Sequence, residues 1–104
     1  MTKYTLPDVF VGDEFLQALT IQQAGQDFTG FSVTGELTRN GGGANRDLDV
    51  TAALAAGDNS TIDVTLKVPG DSGLPAGTYT GKARLTTPTF GPTTVFLFEV
   101  NFVP

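Results

Sequence analysis

The residues of this chain that could do chemistry are few. Ser32, Ser60 and Ser72 are the candidate nucleophiles, yet none of the 104 residues is a histidine that could act as their base. The chain also has no cysteine, which removes thiol nucleophiles, thiolate metal sites and disulfides together and leaves the redox compartment open. Carboxylates remain. Four acidic groupings near turn-like segments could hold calcium: Asp13-Glu14, Asp47 with Asp49, Asp58-Asn59 and Asp71-Ser72. None has ligands at alternate positions closed by a terminal Glu, as an EF-hand loop requires, and Asp and Asn are also the usual turn formers. A carboxylate pair for glycoside hydrolysis is compatible with the composition. A chain this short, however, fills its interior with side chains rather than opening a large cleft. The glycine run at 41–43 is not followed by Lys-Ser/Thr, so it is no phosphate cradle. The expectation is a non-enzyme with no catalytic residue, no cofactor and no metal.

Charge narrows the partners. Six basic residues face eleven acidic ones, for a net charge of -5. Lys3, Arg39, Arg46, Lys67, Lys82 and Arg84 are scattered and form no stripe that could neutralise a run of phosphates, so no nucleic-acid partner is expected. The N-terminus has no long apolar core of a signal peptide, and the longest apolar stretches are far below the length of a membrane span.

The elements that must position these residues are strands. Thirteen glycines and six prolines punctuate short segments with a period of two, not 3.6. In 31–38, Phe31, Val33 and Leu37 alternate with polar residues; in 48–54, Leu48, Val50, Ala52 and Leu54 do so. Ile62, Val64, Leu66 and Val68 set the pattern in 61–68, and Tyr79, Gly81, Ala83 and Leu85 in 78–86. Such alternation gives one core face and one wet face, as antiparallel sheets require. The 14–22 segment reads as a strand of open register: Phe15, Leu19 and Ile21 share a face with Gln17, and Leu16 and Ala18 share the other. Segments 3–6 and 9–11 form a short edge strand broken at Pro7, where a missing N–H is tolerated. Residues 54–59 are too short and glycine-interrupted to hold a helix.

The 93–103 segment differs from the others. Phe96, Phe98, Val100 and Phe102 make a core face, while Val95, Leu97 and Val103 make the opposite face apolar too, interrupted by Glu99 and Asn101. A strand apolar on both faces is covered on both, or meets a partner. Val95, Leu97 and Glu99 are therefore contact candidates. So are Arg39, Asn40, Gly41, Gly42, Gly43 and Arg46, in a glycine-rich stretch that reads as a flexible loop able to order against a neighbour. The expected core is Phe31, Val33, Leu37, Val50, Leu54, Ile62, Val64, Leu66, Tyr79, Leu85, Phe96, Phe98 and Val100.

One motif selects among all-β architectures. In Leu74-Pro75-Ala76-Gly77-Thr78-Tyr79, Pro-x-Gly makes a turn into a strand, and a Tyr two residues after the Gly can bury its ring and return its hydroxyl to backbone near the turn. This is like the tyrosine corner of immunoglobulin-like sandwiches. Asp27-Phe28-Thr29-Gly30 reads as a turn with Phe28 plugging one end of the core. The fold expected for residues 1–104 is a single all-β domain, a two-layer antiparallel immunoglobulin-like sandwich of about seven strands.

Three stretches in order carry a resemblance: Val11-Gly12-Asp13-Glu14-Phe15, Asp27-Phe28-Thr29-Gly30-Phe31-Ser32-Val33, and Leu74-Pro75-Ala76-Gly77-Thr78-Tyr79. Together they resemble the immunoglobulin-like domain at the N-terminus of phage upper-baseplate proteins and in related small phage tail proteins, over residues 11–103. The resemblance implies a virion structural component, assembled in the host cytoplasm in multiple symmetric copies. It would dock onto other tail, baseplate, fibre or capsid proteins, and no catalytic residues carry over. In the upper-baseplate proteins further modules follow this domain; a stand-alone copy would serve as a tail or baseplate adaptor or as a decoration protein on the head. A host- or carbohydrate-binding module is the alternative of another class. Sugar platforms use exposed aromatics, and here tryptophan is absent and most phenylalanines fall on core faces.

Overall fold

A computed structural model describes residues 2–104, and of Phe90 its backbone. Among the described residues the regular structure is all strand: β1 (Lys3–Thr5), β2 (Val9–Phe10), β3 (Phe15–Gln22), β4 (Ser32–Arg39), β5 (Asn45–Asp47), β6 (Asp49–Ala55), β7 (Asp58–Val68), β8 (Gly77–Thr87) and β9 (Phe90–Val103). They form two sheets. One runs β1-β9-β8-β4-β5, with β2 also pairing β9; the other runs β3-β7-β6. The two enclose one core drawn from both, including Phe15, Leu48, Ile62, Val64, Leu66 and Val68 from the smaller sheet's side and Leu37, Tyr79, Ala83, Leu85, Phe98, Val100 and Phe102 from the larger.

The period-two alternation places most side chains on the expected face. Leu37, Ile62, Val64, Leu66, Tyr79, Leu85, Phe98 and Val100 are buried. Phe31, Val33, Val50, Leu54 and Phe96 are only half-buried, packed against that core from its margins. Phe28 plugs the core as its turn predicts, and the turn is held by Asp27 Oδ1, which accepts from the Thr29 N–H at 2.9 Å and the Thr29 hydroxyl at 2.6 Å. The open register of β3 resolves with Phe15, Gln17, Leu19 and Ile21 inward and Leu16 and Ala18 outward.

Four expectations need correction. The sheets are not purely antiparallel: β1 and β2 run parallel to β9, Tyr4 opposite Phe98 and Val9 opposite Phe102. Strands from opposite ends of the chain are not joined by a hairpin, so nothing forces them antiparallel. The strands number nine among the described residues, because Pro7 divides the first segment and a division at Leu48 sets 45–47 apart as a strand ahead of the 48–54 segment.

That second division is a change of sheet. Asn45, Arg46 and Asp47 pair with β4, whereas Asp49 onward pairs with β7. Leu48 sits at the crossing, buried, with its N–H donating to Gly35 O at 2.8 Å. A Cβ on Gly35 would come within 2.8 Å of the Leu48 side chain, so the crossing needs glycine there. The loop read at 39–46 is accordingly shorter, since Arg39 ends β4 and Asn45 begins β5.

The last correction concerns Val95. β9 is longer than the 93–103 segment, beginning at Phe90. The register against β8 shifts between Ala83 and Arg84: Ala83 faces Phe96 while Arg84 faces Thr94. Val95 is the extra residue of a bulge, which re-aims a side chain locally. It packs against the core rather than lying on the outer face with Leu97.

Candidate contact surface

The predicted contact residues of β9 are not together. Leu97 lies half-buried on the outer face, with Lys3 of β1 and Lys82 of β8 as its register partners on either side. Long lysine stems cover apolar neighbours while their ammonium groups stay wet. Glu99 is taken up by Lys3, whose Nζ lies 3.3 Å from its carboxylate. Leu97 is thus flanked within the chain by a lysine of β1 on one side and a lysine of β8 on the other.

The glycine-rich loop is tied at both ends. The Arg39 N–H donates to Ala44 O at 2.9 Å, and the Gly42 N–H to Arg39 O at 3.0 Å. Asn40 donates its N–H to Thr78 O at 2.8 Å, and its side-chain oxygen accepts from the Thr80 hydroxyl at 2.7 Å. Gly41, Gly42 and Gly43 all have positive φ, a run that residues with a Cβ rarely adopt, so the glycines answer a backbone need. Arg39 leans across Gly77, where a Cβ would meet its Nε at 2.7 Å. Arg46 pairs across from the buried Leu37 and is half-buried itself, with Nε enclosed and Nη2 3.7 Å from Asp49. A charge turned inward on the short edge strand β5 is a known guard against further strand pairing.

The Tyr79 corner forms as its motif predicts. The ring is fully buried and packs edge-on against Phe102, with centroids 5.2 Å apart. Its hydroxyl donates to Pro75 O at 2.8 Å. Burial raises the phenol's pKa, opposed by the nearby Arg39 cation.

Of the acidic groupings, Asp58 makes local side-chain bonds and Asp49 pairs with Arg46. Asp58 accepts from the Ser60 N–H at 2.8 Å and the Thr61 hydroxyl at 2.7 Å, and the Thr61 bond, then the Ser60 bond, hold its carboxyl below the usual range. Asp27 is lowered in the same way by Thr29. Asp13 and Asp71 line one depression of about 240 Å³ at the end of the molecule, with Gly12, Gly70 and Ser72. Among the described residues no three acidic side chains converge as a metal site would need. Glu36, between Lys82 and Arg84 at 3.5 and 3.9 Å, lines another open depression of about 470 Å³ on the larger sheet.

What the sequence reading passed over is the side of the molecule where β3 and β1 meet solvent. Among the described residues the large exposed apolar side chains are Tyr4, Phe10, Val11 and Leu16, and of these Tyr4 lies on that side. Tyr4 stacks on Phe96 with centroids 5.4 Å apart. Between them and β3 runs an open groove of about 510 Å³, lined by Tyr4, Leu19, Ile21, Val95 and Phe96 among others. The available signal was the residue string of β3, Phe-Leu-Gln-Ala-Leu-Thr-Ile-Gln, which carries no charge and no proline in a chain with seventeen charged residues (six basic and eleven acidic).

No family model matches the chain, and no curated protein matches it in sequence. Its structure is similar to that of a family 123 glycoside hydrolase from Clostridium perfringens, with a TM-score of 0.70 over 96% of this chain and 9% identity. The chain spans 23% of that protein's length, and a likeness at this identity is one of fold alone.

Proposed function

We propose that this chain is a non-enzymatic virion structural module of immunoglobulin-like architecture, assembled in multiple copies as a tail, baseplate or fibre adaptor through protein–protein contacts. The strand arrangement supports the architecture: β3-β7-β6 opposes β4-β8-β9, and the buried Tyr79 returns its hydroxyl to Pro75 at the start of β8. The observation that carries the contact role is the exposure of three large apolar residues of the N-terminal segment, Tyr4, Phe10 and Val11. Aromatic residues standing out of a surface are typical anchors of protein interfaces. The virion setting rests on the resemblance of the three sequence stretches. Head decoration is the variant of the same role in which the docking partner is a capsid protein.

A carbohydrate-binding module is the second reading. The exposed Tyr4 ring favours it.

The test is incorporation. Wild-type protein should be found in purified particles, and Phe10→Asp, folded by circular dichroism, should enter them about tenfold less, as expected for one lost anchor worth ~1.4 kcal/mol. Absence of the wild-type chain from particles overturns the virion role, and selective binding to a glycan array would establish the second reading.

A further inference from the structure

We infer that β3 is a self-pairing edge, through which two copies of this chain join antiparallel about a two-fold axis at Leu19. The inference does not depend on the virion reading. It begins with the direction of the β3 backbone. The ladder to β7 pairs Ile21 with Ile62 and Gln22 with Thr61, and it continues with the Gln23 N–H donating to Ser60 O at 3.1 Å. Residues exchanging both hydrogen bonds alternate along an antiparallel pair. The odd positions of β3 therefore bond to β7, and Leu16, Ala18, Thr20 and Gln22 turn their N–H and C=O groups away from it. The larger sheet supplies no strand on that side, because β1 and β2 pair with β9. Ala18 O is met by the Gln17 side-chain amide at 2.8 Å, a side chain standing where a neighbouring strand would donate.

Other edges carry guards. β1 and β2 are short, separated by Pro7, and begin with Lys3; β5 turns Arg46 inward. β6 opens with Asp49 and has a register shift at Leu54/Ala55. β3 has eight residues in unbroken register, with no charge, proline or bulge. A long, uncharged edge of this kind is a template for another strand.

Charge selects a second copy as the occupant. The molecule carries a net -5, so two copies repel one another unless the elements they join carry no charge. β3 opposed to itself brings no like charges face to face. A two-fold at Leu19 also gives the largest overlap of the outward groups: Leu16 meets Gln22 of the second copy and Ala18 meets Thr20, each pair exchanging both bonds. On the inner face Leu19 meets Leu19 and Gln17 meets Ile21. The grooves lined by Leu19, Ile21, Val95 and Phe96 then adjoin across the axis and cover one another's half-buried residues. Such an interface is isologous and closes at two copies.

The absence of native cysteine makes a sharp test possible. Leu19 opposite Leu19 is a non-hydrogen-bonded pair, with Cα atoms about 4.5 Å apart, inside disulfide range. Wild-type protein should sediment with twice the chain mass at high concentration. Leu19→Cys should form a disulfide dimer on mild oxidation at least tenfold faster than Leu16→Cys, whose opposite number is Gln22. Ala18→Pro removes an N–H that β7 does not use, and Ala18→Lys adds charge beside the axis; both should be folded monomers by circular dichroism and sedimentation. A wild-type monomer at every concentration overturns the inference. So does a dimer that Leu19→Cys fails to cross-link preferentially, or one that the folded Ala18 variants leave intact.

Discussion

β9 and β3 differ in what the fold sets beside them. β9 is apolar on both faces, which marks it for a partner, yet it lies between β1 and β8 with Lys3 and Lys82 beside Leu97. β3 alternates like an ordinary half-buried strand, yet one whole backbone edge has no neighbour among the described residues. Side-chain hydrophobicity reports which faces are covered. Backbone pairing reports which edges are covered, and the two need not coincide.

The comparison can be broken most severely at Gly81. Gly81 pairs with Phe98, and a Cβ there would collide with the end of the Phe98 ring. The ring has little freedom to yield, because it stacks on Phe15 at 5.7 Å and on Phe96 at 5.3 Å. Gly81→Val should cost about 3 kcal/mol or more, at or above the upper end for overpacked cores. The loss should shrink in a Phe98→Leu background, since neighbours in contact are not additive. Urea denaturation measures both, and an unchanged midpoint would mean that the β8–β9 half is not sterically locked.

A smaller effect is expected at the corner that starts β8. Tyr79→Phe leaves Pro75 O without its donor and should cost about 1 kcal/mol. Equal denaturation midpoints for the two proteins would remove the corner from the account of why β8 is rigid.

The least effect belongs to the polar fastenings beyond the end of β3. Asp27 and Asp58 both have depressed carboxyl pKa values, from hydrogen bonds to Thr29 and to Thr61 and Ser60. Their contribution is complete above the ordinary Asp range and is lost as pH falls through the depressed values. Amide protection in residues 23–31 should decline on acidification before that of β8 and β9, and Asp58→Asn should flatten that decline. Uniform loss across both regions would erase the contrast between an apolar lock and a polar fastening.

Much of this architecture was legible in local sequence. Period-two alternation assigned the inward faces of β4, β7, β8 and β9, because successive side chains on a strand must point to opposite sides. Asp27-Phe28-Thr29-Gly30 and Pro75-Ala76-Gly77 announced their turns through residues whose backbone or side chains favour them. The corner hydroxyl followed from the spacing of Tyr79 after Gly77. Composition limited the available chemistry.

The remainder depended on contacts between residues distant in sequence. Nothing local marks Leu48 as the point where a strand leaves one sheet for the other; its match to Gly35 exists only once β4 lies beside it. The bulge that turns Val95 inward arises from the register of β9 against β8. The parallel pairing of β1 and β2 joins opposite ends of the chain. The sequence by itself determined the faces of the strands, because a side chain's direction is a property of its own backbone. The tertiary structure alone decided the edges, because whether a backbone N–H or C=O has a partner depends on which strand the fold sets beside it.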